Sequence, residues 1–261
     1  MKKHKIHVSI VSWENSEILI PCVKSFLESR KEDSVVSVVL NGYDKNSCEY
    51  LGDNKIKFII LDKNRGQSAV DYGNSLYNSE YMFFPNDDMI FPLSWEQSCL
   101  SNVPNNSKDN FSLSFPLLEP GHWGHPMTQK AAFSAPFSEI QSFLWASDNS
   151  GYGFKRRISW SHPIFLSRKN WLAVGGYGDN FNPDFGPGCF TDDYFAYRLW
   201  RLYDKEFDFI GLDSNPFYHL GSYTMNKIPS RVEIKPEVFK KNAGIDIDEF
   251  KKIAQQYKEL N

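Results

Sequence analysis

Phe83-Phe84-Pro85-Asn86-Asp87-Asp88-Met89-Ile90-Phe91 ends an apolar run in an amide and two carboxylates. Carboxylates hold a hard divalent cation such as Mg²⁺ or Mn²⁺, which fills its other positions with water and substrate phosphates, so the run points to a phosphate-bearing substrate. Turns also select Asp and Asn for their own reasons, so the pair takes its meaning from what surrounds it. A second acidic pair, Asp192-Asp193, opens a segment in which Phe195, Leu199 and Leu202 recur at helical spacing. The helix dipole keeps a carboxylate ionised at that position, which suits a proton acceptor and equally suits a cap. His219 lies in the cluster Asn215-Pro216-Phe217-Tyr218-His219-Leu220, where an imidazole is either a hydrogen-bonded core group or a metal ligand.

The elements that must position these residues alternate along the first hundred residues. Val8–Val11, Val35–Leu40, Lys57–Leu61 and Tyr81–Phe84 are β-rich runs. Ile18/Leu19, Cys22/Val23 and Phe26/Leu27 recur at helical spacing after Asn15-Ser16, an N-cap signal, and Ala69, Val70, Gly73 and Leu76 form a second helical stripe. Such alternation predicts a mostly parallel central sheet flanked by helices, with ligands bound beyond the carboxyl ends of the strands. Ser12-Trp13-Glu14, Asn41-Gly42, Asn64-Arg65-Gly66 and Asn86-Asp87-Asp88 all fall at those ends. After Thr224, Pro229 and Pro236 interrupt, and Asp246–Tyr257 reads as a terminal helix with a capping-box-like start and with Ile247, Phe250, Ala254 and Tyr257 on one side.

Composition narrows the partners. With 261 residues the chain fits either one large α/β domain or two small ones, and a net charge of -3 gives no general attraction to nucleic acid. Cys22, Cys48, Cys99 and Cys189 are scattered without a Cys-x-x-Cys pair, which argues against a zinc site and a disulfide framework and for a reducing cytoplasm. The short apolar stretch after the basic start does not support a signal peptide, and no apolar run is long enough for a spanning helix, which leaves a peripheral membrane contact open. Aromatic residues make up 16% of the chain. Of Trp123, Trp145, Trp160 and Trp171, Trp160, with Ser159, Ser161 and His162 around it, is the first candidate for stacking on a sugar; the alternative for each is the core. His122, His125 and His162 line an acceptor cleft or a loop surface, and Lys155-Arg156-Arg157 is either a phosphate contact or a solvated turn.

In their order these segments resemble the inverting glycosyltransferases of family 2. The opening Val8-Ser9-Ile10-Val11-Ser12-Trp13-Glu14-Asn15 is similar to that family's first strand and polar turn, and Asn64-Arg65-Gly66-Gln67-Ser68-Ala69-Val70-Asp71-Tyr72-Gly73-Asn74 to its Asn-x-Gly segment. Asn86-Asp87-Asp88 stands at its Asp-x-Asp position. Gly175-Gly176-Tyr177, followed by Gly186-Pro187-Gly188 and Asp192-Asp193, resembles its Gly-Gly-Phe loop and acidic helix start, and His219-Leu220-Gly221-Ser222-Tyr223 its late His segment. The chain departs where the family often places a base-reading Asp, since Val39-Leu40-Asn41-Gly42-Tyr43 carries none.

The resemblance implies an α/β GT-A fold, the Rossmann-like nucleotide-diphospho-sugar transferase architecture. It implies a single catalytic domain over 1–225, with a nucleotide-sugar-binding half (1–100) and an acceptor-binding half (101–225), and a helical tail over 226–261. Asp88 and His219 become ligands of Mn²⁺ or Mg²⁺, and Asp192 or Asp193 the catalytic base, with Asp192 favoured by its distance to Arg198. Ser12, Trp13, Glu14, Asn41, Asn64, Arg65, Gly66, Asn86 and Asp87 fall on the donor side; Glu14 and Asn41 suit a pyrimidine edge, hence UDP or dTDP. Trp160, His162, Gly176 and Tyr177 fall on the acceptor side. The expected reaction moves a sugar from a nucleoside-diphosphate sugar to a saccharide or lipid-linked acceptor during cell-surface polysaccharide or lipopolysaccharide synthesis, in the cytoplasm or at the inner face of the membrane. A non-catalytic carbohydrate- or nucleotide-binding module and a metal-dependent phosphohydrolase are the alternatives.

Overall fold

The computed structural model describes residues 3–31, 33–104, 109–120, 128–130, 137–147, 159–160, 162–178, 191–204, 206–212, 215–220 and 236–259. His122, Trp123, His125, Lys155-Arg156-Arg157, Gly186-Pro187-Gly188, Cys189 and Gly221-Ser222-Tyr223 lie outside the described residues. The chain runs through β1 (Lys3–Ser12), α1 (Ser16–Ser29), β2 (Ser34–Leu40), α2 (Lys45–Asp53) and β3 (Lys57–Ile60). A 3₁₀ turn at Gly66–Ala69 leads into α3 (Val70–Gly73), β4 (Asn78–Phe84), β5 (Met89–Ile90) and α4 (Trp95–Ser101). Then come β6 (Phe111–Ser114), β7 (Leu117–Glu119), β8 (Thr128–Lys130), α5 (Phe137–Ser147), β9 (Ile164–Ser167) and α6 (Arg168–Ala173). The remaining elements are α7 (Thr191–Leu202), β10 (Asp208–Gly211), β11 (Phe217–His219), α8 (Pro236–Ala243) and α9 (Ile247–Glu259).

The expected single, mostly parallel GT-A sheet is corrected by the topology. The strands divide into two mixed sheets, one of seven strands in the order β10-β6-β9-β4-β1-β2-β3 and one of four in the order β5-β11-β7-β8. β9 runs antiparallel to both β4 and β6, with Ile164 opposite Phe84 and Ser167 opposite Tyr81. The chain enters β9 at the end of the sheet where β4 leaves, with Ile164 beside Phe84, so the two strands run in opposite directions. In the smaller sheet β11 pairs antiparallel with β5 and parallel with β7.

Strand alternation sorts side chains onto two faces. Ile6, Val8 and Ile10 of β1 and Tyr81 and Phe83 of β4 pack with Leu19, Val23 and Phe26 of α1 and Trp95 of α4. Met82 and Phe84 pack on the opposite face with Trp171, Tyr177, Phe195, Leu199 and Trp200, and Phe239 and Phe250 of the last two helices close this cluster. Over the buried Ser9, Ser37 and Val39 of β1 and β2, α3 comes very close: a Cβ on Gly73 would lie 2.5 Å from Ser9 Oγ and 3.0 Å from Val39 Cγ2. Cys22, Cys48 and Cys99 are free thiols. Among the described residues no helix is long and apolar enough to cross a membrane.

His7 on β1 is buried, with Nε2 2.7 Å from Ser37 Oγ. Burial first, then the charges of Arg168, His4 and Lys57, lower its pKa from 6.5 to about 3. The unfolded chain therefore binds this proton more readily than the folded protein does. The stabilisation is complete above pH 6.5 and is lost as pH falls towards 3, at about 1.4 kcal/mol per pH unit. Urea unfolding between about pH 7 and about pH 4 is expected to give wild type that extra slope over His7→Gln; parallel pH profiles for the two proteins would contradict it.

Candidate functional site

The acidic corner forms where β4 ends. Asn86 continues the sheet for one more bridge, beside Val11. Asp87 is buried and accepts a hydrogen bond from Ser12 Oγ at 2.6 Å and another from the Asn15 side chain. Burial and the adjacent Asp88 push its pKa up to about 7, against the pull of those bonds. Asn15 thus turns to Asp87 instead of capping α1, and the first turn of that helix is served by Asp44, whose carboxylate accepts from Ser16 N at 3.0 Å while capping α2 through Asn46 N and Ser47 N.

Pairing of β11 with β5 sets His219 opposite Met89 and so beside Asp88. His219 Nε2 lies 3.1 Å from Asp88 Oδ1, and Nδ1 lies 2.5 Å from Glu119 Oε1 at the end of β7. Apart from that ring, Asp88 Oδ1 has no hydrogen-bond partner, and Glu119 Oε2 is also buried without one. Burial opposes the imidazolium, but Asp88 and then Glu119 outweigh it and push the His219 pKa up to about 10. Asn86 Nδ2 stands 3.5 Å from His219 Nε2, and its Oδ1 accepts from Gln67 Nε2 at 3.3 Å. Among the described residues no group of three or more His, Cys, Asp or Glu side chains holds a metal unaided. Asp88 and His219 nevertheless offer one carboxylate and one imidazole. Glu119 fixes the imidazole through its other nitrogen, the arrangement common behind histidine ligands. A hard or borderline cation fits this donor set, with its remaining positions open to phosphate and water.

The donor-side residues predicted from sequence gather near this corner in two roles. Ser12 and Asn41 are buried, Ser12 on Asp87 and Asn41 between two backbone groups, accepting from Arg65 N and donating to Gly66 O at 3.1 Å each. Asn41 therefore braces the Asn64-Arg65-Gly66 turn, in which Asn64 Oδ1 also accepts from Gly66 N at 2.8 Å. Glu14 is exposed and left-handed in its backbone, with φ of 48°, and Gly42 packs against it and Trp13. The Arg65 guanidinium lies over the Tyr72 ring.

Asp192 and Asp193 begin α7 with different partners. Tyr177 Oη donates to Asp192 Oδ1 at 3.1 Å, and His162 Nε2 lies 3.1 Å from the same oxygen. Trp160 Nε1 donates to Asp193 Oδ1 at 3.0 Å, and Lys251 Nζ of α9 is 3.5 Å from it. Burial, then Lys251 and Trp160 pulling the other way, leaves Asp193 with a raised pKa. Asp193 is thus bound into the packing of α9, while the Asp192 side chain is 35% exposed.

The predicted acceptor-side residues surround these carboxylates, most of them from within the protein. Trp160 packs 5.2 Å from both Phe209 and Phe250. His162 and Tyr177 are buried. Trp171 belongs to the core, and Trp145 donates to the Phe91 carbonyl. The loop after α6 is held from two sides: Asp71 accepts from Tyr177 N and Gly178 N at 3.1 and 2.6 Å, and Arg198 donates to the carbonyls of Val174, Gly176 and Tyr177. Gly176 has φ of 65°, and a Cβ there would fall 2.2 Å from Asp71 Oδ1, so only glycine lets this grip form. Neither Glu119 nor this use of Asp71 carries a local sequence signal.

No protein-family model and no curated protein matches the chain. Solved structures do match in fold. S. aureus TarS 1-349 in complex with UDP-GlcNAc has a TM-score of 0.61 at 10% identity, covering 97% of this chain and 71% of that one. Another structure of TarS 1-349 matches with this chain spanning 61% of its length. The mannosyltransferase PcManGT from Pyrobaculum calidifontis, in complex with GDP-Man and Mn²⁺, gives 0.52 at 10% identity, covering 84% of this chain and 57% of that one. Glucosyl-3-phosphoglycerate synthase from Mycobacterium tuberculosis, in complex with Mn²⁺, UDP and glucosyl-3-phosphoglycerate, gives 0.55 at 10% identity, covering 93% and 81%. The chain therefore has a glycosyltransferase-like fold. The assignment to family 2 with a single GT-A sheet, which rested on motif order, is not upheld: no family model matches, and the strands build two separate mixed sheets.

Proposed function

We propose that this protein is a metal-dependent glycosyltransferase that moves a sugar from a nucleoside-diphosphate sugar to a hydroxyl of a saccharide or glycolipid acceptor, with inversion. One observation carries the reading: Phe84, the last residue of β4, leads directly into the Asp88–His219 pair and through its carbonyl also holds His162, the partner of Asp192. Two donors suited to a cation that binds phosphate and a carboxylate suited to taking a proton thus flank one strand end, as a single displacement requires.

Asp88 and His219 would hold Mn²⁺ or Mg²⁺, which when bound neutralises charge on the leaving diphosphate. The residues of the chain do the rest. Glu119 orients His219; Asn41 and Asn64 shape the turn that presents Arg65; we assign Glu14 and Trp13 to the nucleotide base, a pyrimidine in UDP or dTDP being the chemistry that suits Glu14 as acceptor. Asp192 takes the acceptor proton. The complexes of the fold neighbours with UDP-GlcNAc, GDP-Man with Mn²⁺, and UDP with Mn²⁺ support this donor class and cation. Cell-surface polysaccharide or lipopolysaccharide synthesis at the inner face of the membrane is the setting we propose.

Purified protein incubated with Mn²⁺, a panel of nucleotide sugars and oligosaccharide acceptors is expected to release nucleoside diphosphate only in the presence of metal and a matched pair. Product anomeric configuration, read by NMR, is expected to be opposite to the donor's. Binding of no donor with or without metal would refute the proposal, and metal-dependent release of inorganic phosphate would replace it with a phosphohydrolase.

A further inference from the structure

Three polar atoms close a triangle at the start of α7. His162 Nε2 is 2.9 Å from Tyr177 Oη and 3.1 Å from Asp192 Oδ1, and Tyr177 Oη is 3.1 Å from the same Asp192 oxygen. His162 Nδ1 is 2.8 Å from the carbonyl of Phe84, which can only accept, so Nδ1 carries a hydrogen and a neutral ring presents a bare Nε2 to the triangle. With the ring neutral and Asp192 ionised, the triangle holds one hydrogen, the tyrosine's. Lone pairs then face each other between Nε2 and Oδ1. A second hydrogen on Nε2 turns that edge into a charge-assisted bond while Tyr177 continues to donate to Asp192. The three side chains together are therefore short of one proton in a buried place that has room for it.

We propose that the base of the transfer reaction is a His162–Asp192 pair, in which Asp192 meets the acceptor hydroxyl and His162 Nε2 holds the proton afterwards; this rests on the transfer function proposed above. The acceptor O–H bond breaks as its oxygen bonds the anomeric carbon. The bond from that carbon to the phosphate oxygen breaks, and its electron pair leaves on the nucleoside diphosphate. The proton passes to Asp192 and on to His162, which later returns it to solvent. Burial supports the division of labour: the Asp192 side chain is 35% exposed and that of His162 only 7%. His162 acts through Asp192 and is a positioning residue.

The groups facing the ring are Asp192 from α7, Tyr177 from the loop after α6, and, at longer range, His219 from β11. Behind them lie Asp71 and Arg198, whose charges act on Tyr177, and, beside Asp192, Asp193 with its own partner Lys251. Burial disfavours the imidazolium, yet Asp192, by charge and hydrogen bond, and the Phe84 carbonyl raise the His162 pKa above 6.5 in spite of it, with His219 opposing.

The test is the pH profile of kcat/KM for the acceptor at saturating donor and Mn²⁺. Wild type is expected to lose activity on the acid side with an apparent pKa above the ordinary histidine value. His162→Gln, which can still reach the Phe84 carbonyl, is expected to be slower by about tenfold or more, with its acid limb moved into the carboxylate range. A purely structural histidine would lower the rate without moving the limb. Nitrogen-15 NMR of the histidine rings supplies a readout that needs neither substrate nor a folded His162 variant. The His162 ring is expected to carry its hydrogen on Nδ1 when neutral and to titrate above the ordinary value, and Asp192→Asn is expected to lower that titration. A wild-type limb already in the carboxylate range, a limb unmoved in His162→Gln, or a ring titration indifferent to Asp192→Asn would each overturn the pairing. Absence of any sugar transfer would instead refute the function, and the ring titration would still decide whether the proton is shared.

Discussion

Asp192→Asn is expected to reduce kcat for sugar transfer by about 10²- to 10⁴-fold, the range typical for loss of a positioned base, with the donor dissociation constant changed by less than about twofold. Asparagine keeps the shape of the side chain and an oxygen that can accept from Tyr177, so the loop clamped by Asp71 and Arg198 has no reason to move. What is lost is the capacity to take a proton. Asp193→Asn is the matched control: Trp160 can still donate to it, and the Lys251 ion pair that disappears involves a side chain that is 43% exposed, where such pairs contribute little. Its kcat is expected to stay within about tenfold of wild type. Steady-state kinetics together with donor calorimetry separate the two variants. If Asp193→Asn is the crippled one, the base has been assigned to the wrong carboxylate.

Sequence alone could not make that choice, because two adjacent carboxylates at a helix start have the same local preferences. Only tertiary partners distinguish them. Trp160 lies 33 residues before Asp193, and Tyr177 lies 15 before Asp192. By contrast, β1 to β4 were legible, since long runs of β-branched and aromatic residues punctuated by turn residues are local signals. The polar clusters at their ends followed from the parallel arrangement. Glu119 was not legible: it ends a three-residue strand without periodicity and meets His219 across 100 positions of sequence. Asn15 misled for a related reason. Its residue type is right for a cap, but Asp87 in the fold takes its side chain, and Asp44 takes over the helix end. β9 escaped because nothing in a four-residue strand of three apolar side chains and a serine states from which end of the sheet the chain will enter.

Removing Asp88 is expected to affect the other half of the reaction. Asp88→Ala takes away one of the two proposed donors to the cation, and metal-dependent donor affinity is expected to fall by more than about 100-fold, beyond the 10- to 100-fold typical of changes to groups that only support a ligand. Glu119→Gln, which leaves both donors in place and loosens the orientation of His219, is expected to fall within that smaller range. The metal-free protein loses a buried pairing as well: Asp88 is the first of the groups that hold the His219 imidazolium against burial, although its removal also relieves the charge beside Asp87. Thermal unfolding without metal is therefore expected at a lower temperature in Asp88→Ala than in wild type, while Mn²⁺ with nucleotide, which should raise the wild-type temperature by linkage, should no longer raise that of the variant. A variant that is only less stable would still respond to the ligands. Calorimetry with Mn²⁺ and UDP, paired with thermal scans with and without them, distinguishes these cases. Donor binding at wild-type strength in Asp88→Ala would remove Asp88 from the metal site and with it the phosphate end of the proposed reaction.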